Sequence, residues 1–390
     1  MSSATETLCG QAYGAKQHHM MGIFLQRSWL VDLVSLTLFL PLFVFATPIF
    51  MALGEDEAIA ASAGYISMWF IPFVYSIVFA LTIQMYLQAQ QKNMVVAWLS
   101  AAQLAVHVPL SWLLVAIMDF GVAGAMCALC VSSWLVVAGE FVYIFGGWCH
   151  HSWTGFTMAA FHDIIPVIKL SVSSGVMVCL ELWYYAILVL LAGYMKNAQV
   201  SISAFSICMG MMGAAMVANE LGAGDAAATR FSIKVVMATS VVIGAVFWIL
   251  CLIFGSKLGY LFTRDEDVVV AVADLSLLLA FSLLLNAMYP VLSGVAVGAG
   301  LQSKVAIISF VCFYAIGLPI GAVLGYVVHL QAKGIWIGMM SGVVTQTLAL
   351  CYMTCKTEWD EQVLIASARL KRWHLKSGEE NQHHNSDNHS

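Results

Sequence analysis

Residues 178–185, VCLELWYY, place Glu181 in a long apolar run from Ile164 to about Tyr194, broken only by Lys169, Glu181 and a few serines. Glu181 lies ~26 Å of helix from Ile164, close to mid-bilayer depth. An ionised acid there costs several kcal/mol, so it should face the protein interior. A carboxyl that can be neutral or charged near physiological pH is a proton carrier. Loading a proton removes the charge and lets the bundle repack, and losing it restores a cation site. The competing reading is a structural glutamate hydrogen-bonded to a neighbouring helix. Trp183, Tyr184 and Tyr185 follow directly, and at helical spacing one or two of them would line a cleft beside the acid. Flat rings there suit planar or cationic substrates, although lipid-facing packing serves any single ring as well. Tyr289 and Gln84 are placed on the same cleft.

Other polar groups in apolar segments are weighed in the same way. Asp274 and Asp32 are secondary acid candidates. Asp32 is expected to pair with Arg27 near the membrane interface, and Glu140 to snorkel from the end of its helix. His107, two residues before Pro109, reads as a hydrogen-bonded core histidine. Cys127 and Cys130 form a CxxC within a span and are read as inert. No residue set is assigned to a metal, and histidines in the tail are read as solvated. QAYGAK and NELGAG lack the GK[ST] ending of a phosphate-binding loop. The energy for any transport would therefore come from an ion gradient, with no cofactor. No facing aspartate pair, metal motif or nucleophile elbow points to an enzyme.

The elements that must hold these groups follow from composition. Apolar residues make up 61% of the chain and charged residues 9%, against roughly 25% charged in a soluble domain. Repeated windows of about 20 uncharged residues predict a multi-pass helical membrane protein. Ten spans are predicted, at 23–50, 61–88, 94–118, 121–146, 164–195, 200–221, 231–258, 268–299, 304–329 and 334–356. With residues 1–22 on the cytosolic side, twelve of the 16 Lys and Arg residues fall on that side, as the positive-inside bias requires. Residues 358–376 read as a short amphipathic helix lying at the interface, and those beyond as disordered.

The chain also repeats itself. Gln11-Ala-Tyr-Gly-Ala-Lys16 aligns with Asn219-Glu-Leu-Gly-Ala-Gly224, Pro109 with Pro319, and Gly121 with Gly334, at nearly the same offset each time. Two lobes related by a parallel pseudo-two-fold are predicted: an N-lobe at 23–146, an inter-lobe loop at 147–163 and a C-lobe at 164–356. Two such lobes would leave a central cleft, the mark of a transporter. Duplication serving folding alone is the alternative. Pro109 and Pro319 occupy equivalent spans and are hinge candidates.

ETLCGQAYGAKQ, SGVMVCLELWYY, LAGYMKNAQ, NELGAGD, PVLSGVAVGAG and KGIWIGM resemble the plant branch of the multidrug and toxic compound extrusion (MATE) family, whose members are also called DETOXIFICATION proteins. The resemblance runs from about Ser3 to Asp360. It implies two six-helix lobes and a cation-coupled antiporter, in plants usually proton-coupled. Such an antiporter exports organic cations, xenobiotics, alkaloids or flavonoid conjugates from the cytosol, across the vacuolar or the plasma membrane. It also places the family's C-lobe acid on Glu181. Where many eukaryotic relatives carry a second acid, this chain has Asn286, which can hydrogen-bond Glu181 or a substrate but cannot titrate.

The chain departs from the family pattern in starting near the cytosolic end of the second family span and in a shortened eighth span between Met209 and Val217. It is therefore read as a truncated form with about ten spans instead of twelve. The expected partners are a small organic substrate, protons and the lipid bilayer, with no nucleic acid, and the chain is read as a monomer. The alternative reading is a non-transporting isoform acting as a scaffold or regulatory partner.

Overall fold

The computed structural model describes residues 3–192, 214–254 and 266–371, which are almost wholly helical and contain no strand. The described residues divide into two compact units, one running to Ser171 and the other starting at Val172. In the first unit α1 (Ser3–Gly14), α2 (His18–Val44), α3 (Ala46–Ala52), α4 (Glu57–Ala89), α5 (Asn93–Trp112) and α6 (Gly121–Tyr143) follow in order. α4 packs on α1, α2 and α6, and α5 packs on α6. In the second unit the order is α7 (Ile165–Ala192), α8 (214–223), α9 (Ala226–Phe254), α10 (Glu266–Gly298), α11 (Gln302–Phe310), α12 (Leu318–Ala322), α13 (Gln331–Lys356) and α14 (359–371). α10 packs on α9 and α13, as α4 does on α2 and α6.

Among the described residues, nine helices are long and apolar enough to cross a bilayer. They correspond to nine of the ten expected spans. Most of the tenth, 200–221, lies outside the described residues, as does the shortened eighth span. The surface carries the signature of the surrounding solvent: Leu38 and Trp98 are 75% and 71% exposed, and such apolar side chains suit acyl chains.

Several boundaries depart from the sequence reading for local reasons. The expected span 23–50 breaks at Phe45, where α2 gives way to α3. Pro48 has no N–H to offer the Val44 carbonyl four residues back, so one helix bond is lost at the break. Within residues 1–22, read as the cytosolic end of a partial span, α1 is helical and buries Leu8, Cys9 and Gln11. The expected inter-lobe loop folds onto the first unit. The Gln26 amide donates to the Gly155 carbonyl at 2.9 Å and accepts from the Thr157 N–H at 3.0 Å, while Arg27 donates to the Ala159 carbonyl at 2.9 Å.

Both predicted hinge prolines sit beside π-helical turns. Pro109 precedes one at Leu113–Ile117, and Pro319 lies between turns at Val311–Gly317 and Val323–Val327. The missing proline N–H loosens the bonding ladder, and wider turns take up the slack.

α14 is amphipathic as expected, but it packs on protein. Trp359 and Ala366 are buried in a cluster with Val217, Leu221, Val295 and Ala299. Its exposed Asp360 pairs with Arg230.

Candidate functional site

Glu181 stands sixteen residues into α7, and that helix is anchored chiefly by aromatic hydroxyls and small-residue notches. Glycines 334, 338 and 342 recur at every fourth position, along one face of α13. Gly334 meets Leu324 and Gly325 of the segment opposite, Gly338 meets Gly321 and Gly317, and Gly342 meets Gly317. A Cβ on Gly338 would lie 2.2 Å from the Gly321 Cα, so only glycine permits this approach. Tyr184 fills the notch left by Gly317 and Gly342. It is fully buried, its ring stacks on Phe313 at 4.3 Å, and its hydroxyl donates to the Met339 carbonyl. One turn earlier, the Tyr314 hydroxyl donates to the Leu180 carbonyl at 2.9 Å. These contacts fix the rotation of α7 and with it the direction of Glu181.

The Glu181 side chain is half-buried and reaches α10. Its Oε2 accepts a hydrogen bond from the Tyr289 hydroxyl at 2.9 Å. Tyr289 is itself buried, in a cluster with Met177, Leu292 and Ala296. A phenol donating to a carboxylate is a charge-assisted bond, shorter and stronger than a neutral one. It holds the ionised acid without a counter-charge. Protonation would supply the carboxyl with a donor of its own and make that bond optional. Asn286 lies one turn from Tyr289 on the same helix, half-buried, and makes no hydrogen bond to Glu181.

The aromatic run after Glu181 splits by function. Tyr184 is a core residue and does not line a cleft. Trp183 points outward, 64% exposed, two positions and about 200° of helix from the acid. The side chains of Tyr185 and Asp274 lie outside the described residues. Tyr314 and Phe313 were missed by the sequence reading. Their only signal is an aromatic pair in a span far along the chain from α7, and no single-segment pattern connects the two.

Gln84 belongs to a different arrangement, within the first unit. Its amide donates to Glu140 Oε1 at 3.1 Å. Glu140 does not snorkel: it has no exposed surface, because its face of α6 packs against α4. Nor does Asp32 pair with Arg27. The two stand five residues apart, about 140° around the helix, and Arg27 turns to the folded linker instead. Asp32 is buried, and its Oδ1 has no hydrogen-bond partner. His107 meets the Ser132 hydroxyl at 3.1 Å, and Cys130 points at the Trp69 carbonyl, both as expected of packed residues. No group of His, Cys, Asp and Glu among the described residues is arranged to hold a metal ion.

A model of the MatE family matches residues 1–113 and 174–323. The chain belongs to the MATE family. Its relatives in Arabidopsis thaliana include Protein DETOXIFICATION 24, 53% identical over 97% of this chain and 79% of the relative, and Protein DETOXIFICATION 25, 53% identical over 96% and 78%. Among solved structures, the eukaryotic MATE transporter AtDTX14 superposes with a TM-score of 0.86 at 29% identity, covering 94% of this chain and 85% of that one. The MATE transporter ClbM, solved in complex with Rb+, shares the fold at a TM-score of 0.72 and 18% identity, covering 96% and 85%. Family and fold make this chain a multi-pass membrane protein and a secondary transporter that exports substrate.

Proposed function

We propose that this MATE protein is a proton-coupled antiporter and that Glu181 is its proton carrier. The observation that carries this reading is the Glu181–Tyr289 hydrogen bond. It joins a half-buried acid to a neutral donor on a second helix, deep within apolar segments. Ionised, the carboxylate is held against α10 by the phenol and can also attract a cationic substrate. Protonated, it loses that attraction and the strong form of the bond, so the contact between α7 and α10 weakens. Exchange of a proton for substrate at one carboxyl couples their movements without a cofactor.

The cargo proposed is small organic cations and xenobiotics, or plant secondary metabolites of flavonoid or alkaloid type, carried out of the cytosol across the vacuolar or plasma membrane. DETOXIFICATION relatives at 53% identity support this class. ClbM was solved with a bound alkali cation, so the coupling ion is tested directly. Proteoliposomes carrying the chain are loaded with a fluorescent organic cation and given either a pH gradient or a Na+ gradient. Efflux driven by the pH gradient and lost in Glu181→Gln is the expected result. Efflux driven only by Na+, or unchanged in the variant, overturns the proposal.

A further inference from the structure

A second polar feature lies within the first unit. Where α1 meets α2, where α4 meets α5, and just past the π-helical end of α6, a cavity of about 220 Å³ opens. It is lined by Tyr13, His18, Gln90, Lys92, His150 and His151, with Trp148, Cys149 and Ser152 completing the wall. No carboxylate lines it. On the lysine and arginine bias it lies on the cytosolic side.

Lys92 is held in place at this cavity by neutral groups. Its ammonium donates to the Trp148 carbonyl at 2.6 Å, approaches Cys149 Sγ at 3.3 Å and lies 5.5 Å from the centre of the Tyr143 ring. No carboxylate pairs with it among the described residues. Burial pushes the Cys149 thiol up from its ordinary value, against the pull of Lys92. No acidic side chain in the lining balances the lysine charge. Across the opening, the exposed His150 and His151 rings lie 3.8 Å apart, and His18 leans on Tyr13 at 5.2 Å. A neutral imidazole carries one N–H and one acceptor nitrogen. His150 Nδ1 donates to the Gly147 carbonyl at 3.1 Å, so His18 and His151 are the rings that offer an N–H to the hollow. Ser152 and Gln90 bond to one another at 2.8 Å and stiffen the floor.

One fixed ammonium and two donating imidazoles around an acid-free hollow suit an anion with several acceptor oxygens. The volume falls below the ~300 Å³ at which pockets for drug-sized ligands begin, so the site takes a headgroup and not the transported organic molecule. Basic pockets between membrane helices on the cytosolic side recognise phosphorylated lipid headgroups in this way.

We propose that the cavity lined by Lys92, His18, His150 and His151 binds a terminal phosphoryl group, presented as the monoester of a membrane lipid headgroup or as free inorganic phosphate. It would couple the state of the membrane or the cytosol to the first unit.

The test uses the purified full chain in detergent and measures binding by microscale thermophoresis. The probes are dioctanoyl phosphatidylinositol 4-phosphate, dioctanoyl phosphatidylinositol and inorganic phosphate. Binding of the phosphorylated lipid at least tenfold tighter than both other probes is expected for a lipid site. Comparable binding of inorganic phosphate assigns the site to free phosphate. Either affinity should fall roughly tenfold or more in Lys92→Gln, on the scale of one charge-assisted hydrogen bond, and should be kept in Lys92→Arg. Lys92 also supports the Trp148 carbonyl, so the exposed pair His150→Gln/His151→Gln provides a second arm with the same expected loss. Binding of none of the probes, or affinities unchanged in the double histidine variant, overturns the proposal.

Discussion

Gly338→Ala is the sharpest test of how α7 is positioned. The added Cβ would stand 2.2 Å from Gly321 Cα, 2.3 Å from Gly321 N and 2.8 Å from Gly317 O. Carbon atoms rest about 3.5–4.0 Å apart. All three obstacles are backbone, so no rotamer change relieves them, and α13 must move by more than about 1 Å. Overpacking of this kind costs about 1–3 kcal/mol. With backbone on both sides the upper figure applies, and the better helix propensity of alanine returns about 1 kcal/mol. The net loss is about 2 kcal/mol, or about 4–8 °C in Tm for a unit of this size. The comparison is Gly139→Ala, whose Cβ would first meet Leu99 Cδ2, the free end of a flexible side chain. That variant should melt at or slightly above the parent temperature. Differential scanning fluorimetry on intrinsic tryptophan in detergent reads both. Equal melting of Gly338→Ala and the parent, or equal losses in the two variants, would refute the close-packing argument.

Other expectations follow from single contacts. Tyr289→Phe removes the hydroxyl that Glu181 accepts from and keeps the ring. A bond to a charged group is worth about 1.5–3 kcal/mol, so pH-driven efflux should fall about tenfold or more at unchanged protein yield. Gln26→Ala breaks both bonds to the linker. Hydrogen–deuterium exchange should rise at residues 155–159 while exchange in α9 and α10 stays as in the parent chain. Arg230→Ala removes the exposed pair with Asp360; such pairs are worth about 0–1 kcal/mol, so Tm should move by no more than a few degrees.

What could be read in advance divides along physical lines. Glu181 was legible because a lone acid in an apolar run is costly enough to demand a reason, and Pro109 and Pro319 because a missing N–H acts locally. The broken first span was legible in principle, since Pro48 removes one helix bond at the break. The partners were harder to see. Tyr289 is placed on the cleft with Glu181 by the sequence, but its bond to the acid is not foreseen, because it lies far along the chain on a separate helix; Tyr184 reads as a cleft aromatic until Gly317 and Gly342 are known to make a notch for its hydroxyl. Glu140 looks like an interfacial acid by position. It is buried because Gln84, on an earlier helix, meets it across the α4–α6 contact. Asp32 and Arg27 were near enough in sequence to suggest a pair, but their angular separation on one helix forbade it.

The claim at the centre is that one carboxyl exchanges a proton for substrate. Proteoliposomes with a pH-sensitive dye in the lumen report this exchange directly when an organic cation is added outside. Entry of the cation should drive protons out and alkalinise the lumen with the parent chain, and leave lumenal pH flat with Glu181→Gln. A lumen that alkalinises equally with the variant would contradict the account.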